Sequence, residues 1–272
     1  MRSTVSGRVH KLNCGRRGRL NWESGKRARL DIARWFCSLV LGTSLVLLLD
    51  VRSTRANGNA VDLALVLAID ISRSVNSSEY RLQRGGLAYA IRHSDVVAAI
   101  KSGPLKKIAV TVVQWSDYES QVVVVPWMVI SDARSAIRFS NHVAKAVRFY
   151  GGHGTHVAGM IKFGAQLLED VPFIAHRKVI DISGDGRDNV TDAPGRHRDD
   201  AVAAGVTING LAIENEEKDL RLYYRNFIIG GPGAFVIRTK RYTDYGEAMK
   251  KKLIREIAPK VLTTNQTQLD SG

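Results

Sequence analysis

Three short stretches of the chain carry side chains whose types and spacing suit chemistry. Asp70, Ser72 and Ser74 stand at single-residue intervals where an apolar run ends. Thr155 follows the glycine-rich stretch Gly151-Gly152-His153-Gly154, and Asp185 stands between Gly184 and Gly186. All five offer hard oxygen atoms, which suit Mg²⁺ or another oxygen-seeking cation. Taken alone, Asp70-x-Ser72-x-Ser74 equally suits a plain turn, with the serines as turn residues and Asp70 capping the next helix. Three separate loops with oxygen groups at one edge would be far more specific than any one of them.

The elements that must position these loops alternate along the chain. From Leu63 to Ile69 apolar residues run without polar alternation, as in a strand covered on both faces. Residues 77–100 read as one helix, with Ser77 or Ser78 as its cap and Gly103-Pro104 as its stop. Lys107–Trp115 and Gln121–Trp127 read as strands joined by a hairpin-length link. Helical spacing follows at Ala133, Ile137, Ser140, Ala144 and Val147, and again at Val157, Ile161, Gly164 and Leu168. Further strands are expected at Lys178–Ser183, Val206–Ile213 and Gly233–Thr239, with helices ending near Ala204 and spanning Asp219–Ile229. The last helix places Tyr245, Ala248, Met249, Leu253 and Ile257 inward, and Lys250, Lys251, Lys252 and Arg255 on a solvated face.

This alternation implies an α/β fold, doubly wound: a mostly parallel central sheet, helices on both faces and one antiparallel edge strand. Right-handed crossovers place the first strand near the middle. The loops after the first and fourth strands, with the Gly151–Thr155 loop, can then meet at one crevice at the carboxyl edge of the sheet, where such folds bind ligands.

Composition narrows the partners. The 272 residues carry 44% hydrophobic and 24% charged residues, enough for a sizeable core. The net charge of +14 is concentrated at the start: residues 1–56 hold 12 Lys+Arg against 3 Asp+Glu, and the remainder 28 against 23. A nucleic-acid partner gains little support from a charge located in this way. The basic start, the apolar stretch Trp35–Leu49 and the small residues after it have the order of a secretory signal peptide, with cleavage near Ala56 or Ala60. The expected mature protein is periplasmic or secreted, touching a membrane only through an uncleaved leader. Cys14 and Cys37 both lie in the leader, so the mature domain would hold no disulfide. The expected divisions are a leader over 1–56, one domain over 61–259 and a polar tail over 260–272.

Most enzyme signatures are missing. No Gly-x-Gly-x-x-Gly follows the first strand, and no phosphate-binding Gly-Lys-Ser/Thr occurs. His153 and His156 lack spaced partners for zinc. His153-Gly-Thr-His-Val-Ala-Gly159 resembles the histidine motif of subtilisin-type proteases, and Ala68-Ile-Asp70 their aspartate strand. The serine motif that a triad requires does not follow; Gly42-Thr43-Ser44, inside the leader, is the only Gly-Thr-Ser. Trp115, Trp127, Tyr223 and Tyr224 read as packing residues, and Asp188 and Asn189 as loop residues.

Asp70-x-Ser72-x-Ser74, Thr155 and Asp185 together resemble the metal-ion-dependent adhesion site of von Willebrand factor A-type domains. The resemblance covers roughly Val61 to Pro259. Val124-Val-Pro-Trp127, Thr207-Ile-Asn-Gly-Leu211 and Ile229-Gly-Gly-Pro-Gly-Ala-Phe235 are similar to those of an uncharacterised secreted bacterial group of such proteins. The resemblance implies a Rossmann-like A-domain; that it is not an enzyme is expected because the sequence places no nucleophile or general base beside the ion. It would bind a divalent cation, Mg²⁺ first, with Mn²⁺ or Ca²⁺ as alternatives. It implies Ser72, Ser74 and Thr155 as near ligands, Asp70 and Asp185 acting through water, and a protein partner that offers a carboxylate to the ion. A metal-assisted hydrolase, or a subtilisin-like remnant without its serine, is the competing reading.

Overall fold

The computed structural model describes residues 59–149, 152–190 and 193–258. The expected leader with its two cysteines, Gly151 and the polar tail lie outside the described residues.

Two layers of helices enclose a sheet of six strands. A short strand β1 (Ala60–Val61) precedes β2 (Leu63–Asp70). The helices α1 (Ser77–Ile91) and α2 (Ser94–Lys101) lead to β3 (Ile108–Trp115) and β4 (Gln121–Ile130). Then come α3 (Ala133–Lys145), α4 (Val157–Glu169), β5 (Ile174–Ala175) and β6 (Lys178–Gly184). The chain continues through α5 (Pro194–Ala203), β7 (Val206–Ile213) and α6 (Leu220–Tyr223), which runs into a π-helical turn, Tyr224–Ile228. It closes with β8 (Val236–Thr239) and α7 (Tyr245–Ile257). The sheet order is β4-β3-β2-β6-β7-β8, and β1 pairs separately with β5. Only β4 runs antiparallel in the large sheet, at its edge, and two register shifts interrupt its pairing with β3. The α/β, mostly parallel architecture with β2 inside the sheet is as the sequence implies.

Burial on both faces follows from the period of a strand. Leu63, Leu65, Leu67 and Ile69 of β2 join Leu87, Val96, Phe139 and Leu253 in one core. Ala64, Val66 and Ala68 face the other side, with Val157, Met160, Ile161 and Tyr224. Small residues in β2 on that second face let α4 lie close.

Three expectations are corrected. The helix expected over 77–100 is two helices: His93 adopts an extended conformation and caps α2, its Nδ1 accepting from the Asp95 amide. The cap of α1 is Asn76 instead of Ser77 or Ser78. Asn76 Oδ1 accepts from the Ser78 and Glu79 amides while Glu79 Oε2 accepts from the Asn76 amide, a closed capping box. Lys252 does not lie on a solvated face; it is fully buried. Its Nζ is 2.7 Å from Asp181 Oδ2 and 3.3 Å from Glu256 Oε2, and it lies over the Phe235 ring. Asn209 ties the cluster to β7 and β8, donating to Glu256 Oε1 (2.6 Å) and accepting from the Phe235 amide (2.9 Å). The physical reason is that Lys252 follows Ala248 and Met249 at helical spacing and meets an acid, Asp181, in the middle of β6. Burial pushes the Asp181 carboxyl well up, and Lys252 opposes that shift.

Candidate metal centre

The turn after β2 is held from both sides. The Asp70 carbonyl accepts from Gln83 Nε2 of α1 (3.0 Å), and Asp70 Oδ1 accepts from the Ser72 amide (2.7 Å). From the opposite side Arg148 donates through Nη2 to the carbonyls of Ile71 (3.0 Å), Ser72 (3.3 Å) and Val75 (2.7 Å). Its guanidinium also lies over the Tyr80 ring. Three carbonyls of the turn bonded to one guanidinium hold it on a fixed frame.

The serine hydroxyls of this turn link to the loop after β6. Ser72 Oγ and Ser74 Oγ are 3.1 Å apart, and Ser74 Oγ donates to Asp185 Oδ1 across 2.6 Å. Asp185 Oδ2 accepts from the Tyr242 hydroxyl (2.7 Å), just before α7. Asp70, Ser72, Ser74 and Asp185 therefore form one contiguous group at the carboxyl edge of the sheet.

Thr155 arrives by a different route. Its amide donates to Asn189 Oδ1 (2.8 Å), and its carbonyl accepts from the Asn189 amide (3.0 Å). Its hydroxyl lies 3.6 Å from where a Cβ on Gly186 would stand, beside the Asp185 loop. Helix α4 has no side-chain cap of its own; Asp188 Oδ2 accepts from the Ala158 amide (2.9 Å) instead. Asp188 and Asn189, read from sequence as loop residues, thus pin the Thr155 loop to the Asp185 loop. The carboxylate and amide at 188 and 189, one residue beyond Gly184-Asp-Gly186, are the signal for this role, visible only once both loops are known to be neighbours. Glycine at 152 has a cause other than an approaching ion: a Cβ there would collide with the Asp117 carboxylate. Asp117 also accepts from the Gly154 amide (3.2 Å).

Electrostatics mark Asp70. It is fully buried, and burial, followed by the nearby Asp185 carboxylate, pushes its pKa up to about 7. Burial and then Asp185 raise the Tyr242 phenol, so it stays a neutral donor. Two acids this close do not both stay charged without a compensating charge, and Asp70 holds its proton more tightly instead.

The donor set fits a hard cation. Asp70 Oδ2 is buried and meets no donor at hydrogen-bonding geometry among the described residues. Nor do three His, Cys, Asp or Glu side chains cluster there for a metal. The Ser72 and Ser74 hydroxyls with the Asp70 and Asp185 carboxylates, and the Thr155 hydroxyl on the adjoining loop, are oxygens that suit a hard cation.

The protease reading finds no matching geometry. His153 is exposed, whereas Asp70 is buried with Oδ1 on the Ser72 amide and Oδ2 beside Gly184 and Tyr224. His156 is buried and stacks on Tyr118 with ring centroids 5.1 Å apart. A groove of about 590 Å³ between α4 and α5, lined by Lys162, Lys178, His197 and Asp200 among others, lies at the amino end of β6 and shares no residue with the site.

The family described as "Protein of unknown function (DUF1194)" matches residues 60–261. The chain belongs to the DUF1194 family. No curated protein matches the DUF1194 chain in sequence. Among solved structures, proximal thread matrix protein 1 from the mussel byssus is similar with a TM-score of 0.54 at 14% identity, covering 71% of this chain and 47% of that one. A von Willebrand factor type A protein from Catenulispora acidiphila gives 0.52 at 17%, covering 73% and 43%. The von Willebrand factor domain of the type V pili tip protein Mfa5 from Porphyromonas gingivalis gives 0.51 at 11%, covering 73% and 95%. The DUF1194 chain spans less than half the length of the first two. Together they establish the fold: this DUF1194 protein has the fold of von Willebrand factor A-type domains.

Proposed function

We propose that this protein is a divalent-cation-dependent protein-binding module of the adhesion type. The observation that carries this reading is the junction of Ser72, Ser74 and Asp185 beside the buried, under-partnered Asp70. In it Ser72, Ser74 and Thr155 hold the cation, Mg²⁺ first, while Asp70 and Asp185 act through water. An ion with few direct charged ligands keeps the electrophilicity to recruit a carboxylate from a protein partner. When bound, the cation supplies Lewis acidity at the carboxyl edge of the sheet; the chain's own residues orient its oxygen shell. Solved relatives in fold include a pilus-tip domain, and that likeness supports the adhesion reading as analogy only.

The same proposal takes residues 1–56 as a secretory leader, 61–259 as the A-type domain and 260–272 as a polar tail, with the mature protein outside the cytoplasm. Amino-terminal sequencing from the native host should find a start near Asn57 or Val61; an intact Met1 in the cytosol would refute the leader. The functional test is calorimetric titration of the purified domain with Mg²⁺ and Mn²⁺, followed by a pull-down from envelope extract with Mg²⁺ and then with chelator. Saturable ion binding with chelator-sensitive capture is the expected result. A domain that binds neither ion ends the proposal.

A further inference from the structure

Tyr224 is fully buried at the start of the π-helical turn, where the Ile229 amide reaches back to its carbonyl (2.9 Å). Such turns insert a residue into a helix and redirect a side chain, often at functional sites. Here the redirected side chain crosses two strands. A Cβ on Gly210 of β7 would stand 2.5 Å from the Tyr224 ring, so the ring occupies the space where a side chain would otherwise be. The hydroxyl reaches Gly184 at the end of β6. There a Cβ would stand 2.8 Å from Tyr224 Oη and 2.9 Å from Asp70 Oδ2. Two glycines on adjacent strands and one π turn thus deliver a phenol to the candidate centre.

Neither oxygen meets a hydrogen-bond partner among the described residues. Buried polar groups without a protein partner are a costly arrangement, commonly resolved by a bound water that satisfies both. One of the two groups is a neutral phenol that can donate; the other is a carboxylate that accepts. A water between them can donate to Asp70 Oδ2, accept from Tyr224 and turn its remaining lone pair to a cation.

We propose that Tyr224 is a positioning residue of the ion site, holding jointly with Asp70 Oδ2 a water of the cation's hydration shell. The inference rests on the cation-binding reading above. Tyr224 touches neither the ion nor a partner; it acts through that water. A site in which carboxylates work through water needs such a second anchor, because one hydrogen bond leaves a water free to swing. Removing a group that orients a ligand in this way lowers metal affinity roughly 10–100-fold.

The experiment is Mn²⁺ titration and thermal melting in chelator on the parent, Tyr224→Phe, Gly184→Ala and their double variant, with Asp185→Asn as control. Tyr224→Phe should weaken Mn²⁺ binding roughly 10–100-fold. Its melting point in chelator should be unchanged or higher, because the variant removes a buried hydroxyl that lacks a protein partner. A purely structural hydroxyl predicts the reverse: lower stability and parental affinity. Gly184→Ala fills the same space, so the double variant should bind no more weakly than the weaker single variant. Additive losses would overturn the shared water. Should Gly184→Ala fail to fold, Tyr224→Phe alone decides. Parental affinity in Tyr224→Phe, alongside loss in Asp185→Asn, rejects the role of Tyr224 and leaves the ion site standing. No binding in the parent rejects both.

Discussion

Ser74 Oγ donates to Asp185 Oδ1 across 2.6 Å, joining the turn after β2 to the loop after β6 although 111 residues separate them. The bond exists because β2 and β6 are paired neighbours whose carboxyl ends open at one edge. Ser74 therefore occupies one lone pair of an acid while Tyr242 occupies another on its second oxygen. Each oxygen of the acid is thus held by one hydroxyl.

The first prediction uses that bond. Asp185→Asn keeps an acceptor for Tyr242 and removes one negative charge. Mn²⁺ binding should fall by at least tenfold while the melting point in chelator stays within a few degrees. Asp185→Ala should cost stability as well, because the buried Tyr242 hydroxyl is left unpaired at about 1–3 kcal/mol. Both are read by calorimetry and by melting in chelator, since bound ion alone adds about 2.7 kcal/mol at a hundred times its dissociation constant.

Thr155 and His153 separate binding from proteolysis. Thr155→Ala should lower metal affinity roughly 10–100-fold and abolish cation-dependent capture of a partner. His153→Ala, at an exposed loop position, should change either little. Purified domain should cleave no peptide above background. Cleavage that survives purification and vanishes in His153→Ala would restore the protease reading.

Asp70 sets a pH dependence whose sign follows from linkage. Its carboxyl, ordinarily near 3.8, is raised to about 7 in the folded, metal-free protein. Between these values the folded state holds a proton that the unfolded state has released. This contribution to stability is complete below about pH 4 and lost as pH rises through about 7. In chelator the domain should gain from Asp70 at pH 5.5 relative to pH 8, and Asp70→Asn should remove that difference. Mn²⁺ affinity should run the opposite way, stronger at pH 8, because the ion competes with the proton.

The buried cluster around Lys252 predicts stability without function. Lys252→Met leaves Asp181 and Glu256 buried without their cation, at about 3–5 kcal/mol. Adding Asp181→Leu should recover part of the loss. Urea unfolding of the single and double variants checks this. A solvated Lys252 would instead give a change within about 0.5 kcal/mol.

The sequence by itself determined the alternation of the main strands and helices, the inner place of β2 and the five candidate site residues. It could do so because a doubly covered strand has an unbroken apolar run, and because right-handed crossovers leave few ways to stack such strands. Single-residue spacing at Asp70, Ser72 and Ser74 likewise reports one local turn. What the tertiary structure alone decided concerns residues whose partners are remote in the chain. Lys252 looks solvated beside Lys250 and Lys251 until Asp181 is found facing it across the core. Asp188 and Asn189 look like loop residues until the Thr155 loop lies against them. Tyr224 looks like packing until Gly184 and Gly210 open its way to Asp70. Periodicity records which way a side chain points, whereas a hydrogen bond or ion pair depends on what stands opposite, and only the packed sheet and helices bring that residue there.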